Sequence, residues 1–253
     1  MTLLSHHTDM KRVGIGNIHN YQLLKLTLFP VCMRHTNRDN NTMNHQYTSE
    51  DKFNNYDLPQ PTKRKQRFFY RKFYLYKISQ LIEKTLKYHS RLSVFRIDLH
   101  LPKDFDDADS KVITRFFKSL NAKLDVDIKR KEKSWGRGLR NKTCYIWAKE
   151  KNTSEQYHYH VALFLNKDIY YQLGDVGVSD GSLANLIKQA WCSAIKQEKP
   201  ALVHFCKSGV YRLNLNASDI EQSKNELFKR VCYFAKPNSK VYGGAMRNFA
   251  TSR

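Results

Sequence analysis

His158 and His160 stand one residue apart in the stretch YHYHVALFLN, residues 157–166. The stretch is apolar enough to be a strand, and side chains two apart on a strand share a face. Two imidazoles on one face, completed by a carboxylate, can hold a single divalent cation. Two carboxylates are candidates for the third ligand. Glu150 ends the preceding predicted strand, and Asp98 lies on the polar face of an earlier one. A His-x-His pair is also a common surface pattern, so it needs a second feature before it carries a function.

Tyr233 supplies that feature. On a helical wheel through IEQSKNELFKRVCYFAKP, residues 220–237, it shares a side with Glu226, Lys229, Arg230 and Lys236. Leu227, Val231 and Phe234 fall opposite. The plainer account of such a residue is an amphipathic tyrosine at the rim of a helix. The chemical account is a nucleophile. A phenol with a pKa near about 10 attacks poorly until positive charge favours the phenolate. Lys229, Arg230, Lys236 and a bound metal all act in that direction. A phosphodiester suits such a pairing, because a divalent ion neutralises the negative oxygens that repel a nucleophile.

The elements that must position these residues are legible in outline. Residues 67–90 have helical spacing, with Tyr74, Ile78, Leu81, Ile82 and Leu86 on one stripe and Lys and Arg elsewhere, a basic amphipathic helix. SVFRIDLHLP, residues 93–102, alternates: Phe95, Ile97, Leu99 and Leu101 face one way, Arg96, Asp98 and His100 the other. The acidic loop 103–110 lacks the glycine and terminal glutamate of a calcium loop. Its end, Asp109 or Ser110, is read as the N-cap of a helix over 111–124. Strands follow at 143–150 and 157–166, then a capped helix within 179–197, one or two strands in 203–214, and a final helix stopped at Pro237. The order helix, β, α, β, β, α, β, α predicts an α+β fold with an antiparallel sheet of ferredoxin-like type.

The chain carries 44 Lys and Arg against 23 Asp and Glu, a net charge of +21. That excess repels itself unless a polyanion neutralises it, and nucleic acid is the usual partner. The 15 Tyr and 14 Phe argue for a folded chain and supply surfaces on which bases stack. Five cysteines, none in a C-x-x-C pair, read as reduced thiols. The apolar stretch 21–33 is too short to span a bilayer and lacks the order of a signal peptide, so a cytoplasmic protein with no membrane partner is expected. Residues 34–66 are polar and asparagine-rich. They are read as part of a disordered linker-like extension, residues 1–66, ahead of a domain over 67–253.

The stretches FRIDLHLP, YHYHVALFLN and RVCYFAKP and the C-terminal YGGAMRNFATSR resemble the HUH endonucleases that initiate rolling-circle replication. The closer likeness is to the inovirus replication-protein-like family that includes the YagK/YfjJ C-terminal domain of prophages. It covers about residues 67–253 and leaves 1–66 outside. The resemblance implies that His158 and His160 hold Mg²⁺ or Mn²⁺ at the scissile phosphate of single-stranded DNA at a replication origin. It implies that Tyr233 attacks to leave a 5′-phosphotyrosine link and a free 3′-hydroxyl, with Lys236 matching a lysine near metal and phosphate. Lys229 and Arg230 would then bind DNA, and host replication proteins would be further partners. Two departures stand out: the bulky Tyr159 is the middle residue of the histidine motif, and only one tyrosine occupies the catalytic segment.

Other readings explain parts of this. A non-catalytic binder of single-stranded nucleic acid on the same sheet accounts for charge and aromatics, though not for His158, His160, Tyr233 and Lys236 together. A two-histidine phosphoesterase acting through water expects His-x-Thr/Ser, whereas His160 is followed by Val-Ala-Leu. A transposase or relaxase within the HUH class stays open.

Overall fold

The computed structural model describes residues 46–62, 66–105, 111–151, 156–176, 181–238, 240 and 247–253. Within them, five antiparallel strands form one sheet in the order β8-β5-β7-β6-β9. In chain order these are β5 (Arg91–His100), β6 (Cys144–Glu150), β7 (His158–Asn166), β8 (Val203–Asn214) and β9 (Phe249–Thr251). Among the described residues, four α-helices cover the sheet: α1 (Lys72–Tyr88), α2 (Val112–Trp135), α3 (Leu183–Ile195) and α4 (Ile220–Val231). The fold is α+β; from α1 to α4 its helices and strands follow the predicted order, and β9, which pairs with β6, is an addition to it.

The sheet is a middle layer because its strands are apolar on both faces. Phe95, Ile97 and Leu99 of β5 and Val161, Leu163 and Leu165 of β7 pack under α2 and α3. Trp191 of α3 is fully buried there, and its indole N–H donates to the His100 carbonyl at 3.0 Å. A side chain of that size buried in full makes truncation cost about 3–5 kcal/mol. On the other face, Val94, Ile146, Ala162 and Phe164 pack against Ile78 and Ile82 of α1 and Leu227, Phe228 and Val231 of α4. The second face runs out of apolar residues at one end of the sheet. There, continuing the same alternation, β5 offers Asp98 and β7 offers His160 and His158.

Short signals end the helices. Ser182 caps α3 by accepting the Asn185 N–H at 3.1 Å, and Gly136 closes α2 at φ 63°. The N-cap expected at Asp109 or Ser110 lies outside the described residues. Segment 203–214, expected as one or two strands, is a single strand with an irregularity: Phe95 pairs with Val210 but Ile97 with Phe205. Cys206 to Gly209 therefore bulge opposite Arg96, with Ser208 at φ 52°. A Cβ at Gly209 would stand 2.7 Å from the Cys206 carbonyl oxygen and 2.9 Å from that of Arg96, so the bulge needs glycine there.

Three boundaries differ from expectation. The basic helix starts at Lys72 rather than 67, because Tyr70 and Arg71 (β4) pair instead with Tyr47 and Thr48 (β1). Residues 46–62, expected in the extension, pack on the domain. Lys52–Phe53 (β2) and Tyr56–Asp57 (β3) form a hairpin, the Tyr56 ring stacks on Phe228 at 4.2 Å, and Leu58 is buried. Few apolar residues were needed to anchor this polar stretch; residues 1–45 lie outside the described residues. Finally, α4 ends at Val231, and Cys232–Ala235 form a 3-10 turn that carries Tyr233. Among the described residues, Cys144, Cys192, Cys206 and Cys232 are free thiols, and no helix is long and apolar enough to cross a membrane.

Candidate metal centre and nucleophile

Strand register assembles the centre. The β5–β7 ladder sets Asp98 opposite His160 and His100 opposite His158, and the β6–β7 ladder sets Glu150 opposite His158. The Nε2 atoms of His158 and His160 lie 3.2 Å apart, and His160 Nε2 lies 3.2 Å from Glu150 Oε2. Glu150, His158 and His160 are all buried, and their donor atoms converge within 4.8 Å.

Of the two carboxylates expected as third ligand, Glu150 joins this group. Asp98 sits behind it instead, with Oδ1 2.5 Å from His160 Nδ1 and in contact with the Arg96 guanidinium. In the tautomer whose Nδ1 proton faces Asp98, His160 Nε2 presents a lone pair. That lone pair faces a second nitrogen and a carboxylate oxygen at 3.2 Å. Acceptors so close repel unless a proton or a cation lies between them. A carboxylate that orients a ligating histidine from behind is the usual support of a metal ligand. Two imidazoles and a carboxylate therefore fit a divalent ion.

The electrostatics favour an ionised Glu150 and a neutral His158. Burial alone would raise the Glu150 carboxyl, but the His160 hydrogen bond and the Lys240 charge outweigh it and bring its pKa to about 2. Burial likewise opposes ionisation of Asp98, and His160 and Arg96 overcome it, holding the group well below the usual carboxylate range. His158 is lowered to about 4 by burial and by the charges of His160 and His100, so it is neutral at neutral pH. Lys240 reaches Glu150 Oε1 at 2.8 Å with both side chains fully buried.

The 3-10 turn brings Tyr233 to the same place. Its ring meets His160 edge to face at 5.5 Å, while the next residue, Phe234, stacks parallel to His160 at 6.0 Å and forms the floor. Arg96 lies over Phe234 at 4.7 Å. Tyr233 is 38% exposed and opens into a cavity of 340 Å³ shared with Arg96, Asp98, His160, Arg230 and Lys236. Burial and the Glu150 charge raise the Tyr233 hydroxyl above its ordinary value, against a lowering by Arg96. In the protein alone, the expected drive towards phenolate is thus outweighed, first by burial and then by the Glu150 carboxylate. Lys236 Nζ sits over the Phe68 ring at 3.1 Å and 5.1 Å from the Tyr233 centroid. Lys229 and Arg230 are exposed at the mouth of the cavity.

All eight residues singled out in the sequence thus lie around one end of the sheet. Arg96 and Lys240 were not singled out. Arg96 was legible only as a polar neighbour of Asp98, and nothing in the spacing marks Lys240 as the partner of Glu150. A 580 Å³ hollow lined by Tyr145, Trp147, Tyr159 and Arg247 opens on the other face of the sheet and holds none of the site residues.

A family model described as the YagK/YfjJ C-terminal domain matches residues 48–252. The Escherichia coli (strain K12) protein YagK is 39% identical over 192 residues, 71% of this chain and 92% of YagK. YfjJ of the same strain is 34% identical over 191 residues, 70% of this chain and 92% of YfjJ. Both relatives are described as uncharacterized. No solved structure matches the chain significantly.

Proposed function

The chain belongs to the YagK/YfjJ C-terminal domain family, and on that footing we propose that it is a metal-dependent, tyrosine-using nicking and joining endonuclease of HUH type, acting on single-stranded DNA to start rolling-circle replication of a phage or prophage element. The observation that carries the reading is the contact of Tyr233 with His160, a metal-type histidine, inside one basic cavity. The strand order β8-β5-β7-β6 supports it, being the 4-1-3-2 arrangement of a ferredoxin-like sheet when those strands are numbered along the chain.

Glu150, His158 and His160 would hold the cation. It supplies charge neutralisation at the phosphate and favours the phenolate. A set with two nitrogens ranks Mn²⁺ above Mg²⁺ in affinity. Arg96 adds positive charge beneath the tyrosine, and Lys236, Lys229 and Arg230 hold flanking phosphates. The Tyr233 hydroxyl loses its proton to solvent at the cavity mouth, and its oxygen bonds to phosphorus. The bond from phosphorus to the 3′ oxygen breaks, and that oxygen takes a proton from solvent. Products are a 5′-phosphotyrosine and a 3′-hydroxyl, and reversal rejoins a strand.

Bases flanking the nick have a surface to stack on. Phe73 and Tyr76 are exposed on α1, with Lys77 over the Phe73 ring at 5.4 Å, and Phe69 is exposed just ahead of β4. A cytoplasmic setting and host replication proteins as partners belong to the same reading.

The test is incubation with end-labelled single strands carrying the element's origin and Mn²⁺, followed by mass spectrometry of the nuclease-trimmed adduct. A nucleotide on Tyr233 is expected. A nucleotide on Tyr211 or Tyr242 refutes the assignment, cleavage with no adduct points to a water-based hydrolase, and binding with no cleavage to a non-catalytic binder.

A further inference from the structure

The histidine pair on β7 has a counterpart two strands away. His204 and Cys206 stand one residue apart on β8, and the ladder places His204 opposite Asp98 of β5. We propose that Asp98, His204 and Cys206 form a second cation site, built for a thiophilic divalent ion such as Zn²⁺ and distinct from the Glu150–His158–His160 centre.

The geometry is that of a ligand set. Cys206 Sγ lies 3.4 Å from Asp98 Oδ2 and His204 Nδ1 lies 3.8 Å from the same oxygen. One donor atom from each residue falls within 4.8 Å of the others. A tetrahedral zinc with bonds of about 2.0–2.3 Å leaves adjacent donors separated by roughly these distances. Asp98 divides its oxygens between two tasks: Oδ1 faces His160 and Arg96, Oδ2 faces Cys206 and His204.

The access and the chemistry agree. His204 is 63% exposed and Cys206 half-buried, so an ion and a water as fourth ligand enter from solvent. Binding exchanges the Cys206 thiol proton for the metal and releases that proton to water. A thiolate ligand selects against Mg²⁺ and for Zn²⁺, the reverse of what an oxygen-rich site does. The bulge that begins at Cys206 matters here. It carries the strand away from β5 immediately after the ligand, and Gly209 lets the backbone return. A thiol-to-carboxylate hydrogen bond without metal is the plainer account of the 3.4 Å contact.

The test uses the full-length, metal-free chain with reduced cysteines in excess Mg²⁺, titrated with Co²⁺ and then displaced by Zn²⁺. A thiolate-to-cobalt absorption band in the near ultraviolet is expected, bleached by Zn²⁺. Cys206→Ser removes the band, His204→Ala weakens the affinity by at least about tenfold, and His158→Ala leaves the band in place. A wild type without the band, a band that survives Cys206→Ser, or an unchanged affinity in His204→Ala overturns the proposal. The exposed His204 makes its variant safe for folding. No DNA is present, so absence of nicking does not bear on the result.

Discussion

The rings of His160 and Tyr233 meet edge to face with centroids 5.5 Å apart, one from a central strand and the other from a turn after the last helix. His160 is tied through Nδ1 to Asp98, and Tyr233 is flanked by Cys232 and Phe234, both buried. On the proposed reading, a nucleophile and a metal ligand stand together before any substrate arrives, which is the positional part of catalysis.

Tyr233→Phe removes one oxygen and keeps the edge-to-face contact. Loss of the covalent adduct is expected, with single-strand affinity changed by no more than about 1 kcal/mol, one hydrogen bond's worth. A gel for the adduct and fluorescence anisotropy for binding read the two effects separately.

His158→Ala removes one of the two imidazoles proposed to hold the cation. Mn²⁺ affinity should fall by at least about tenfold, read by isothermal titration, while the far-ultraviolet circular dichroism stays that of wild type. Retained affinity would mean that the histidines do not bind the ion.

Lys240→Met leaves the fully buried Glu150 carboxylate without its 2.8 Å partner. A loss of about 3–5 kcal/mol in stability is expected from breaking a buried pair on one side. Adding Glu150→Met restores most of it, because the cost is the orphaned charge and not the missing attraction, and abolishes metal binding. Urea denaturation of the single and double variants decides this.

His89 is buried and its Nε2 accepts the Lys142 backbone N–H at 2.9 Å. Burial lowers its pKa below the ordinary 6.5. The unfolded chain therefore binds the proton first, so this contribution is complete above about pH 6.5 and is lost as pH falls from there towards the folded value. His100 and His158 shift in the same direction. His89→Gln keeps an acceptor for Lys142 and should flatten part of the decline in stability between about pH 7 and pH 5, measured by denaturant midpoints across that range.

Binding of single strands should weaken steeply with salt. For six to ten phosphate contacts the loss between about 50 and 200 mM is on the order of 10³ on a duplex scale and somewhat less for single strands. Phe73→Ala should cost about 1–3 kcal/mol at fixed salt by removing one stacking surface, without altering the salt slope. An unchanged affinity would place the DNA elsewhere.

The sequence by itself determined the α+β class, the order of elements and the sharing of one face by His158 and His160. Those follow from local rules: alternation on strands, 3.6-residue spacing on helices, and a single run of apolar residues per element. Register between strands is not local, because it depends on which surfaces bury together. Only the tertiary structure could therefore set Glu150 beside the histidines and place Asp98 behind His160. It alone brought Lys240 to Glu150 and buried Arg96 against Asp98 over the Phe234 ring, where burial turns ordinary surface residue types into committed ion pairs. The anchoring of residues 46–62 was hidden for a similar reason: Tyr56 and Leu58 are isolated in a polar stretch, and their burial depends on Phe228 and its neighbours far along the chain. The phenol showed the limit of reading charge from a helical wheel. Lys229 and Arg230 mark a basic side, but the titration of Tyr233 is governed by burial and by Glu150, a carboxylate that the fold brings from another strand.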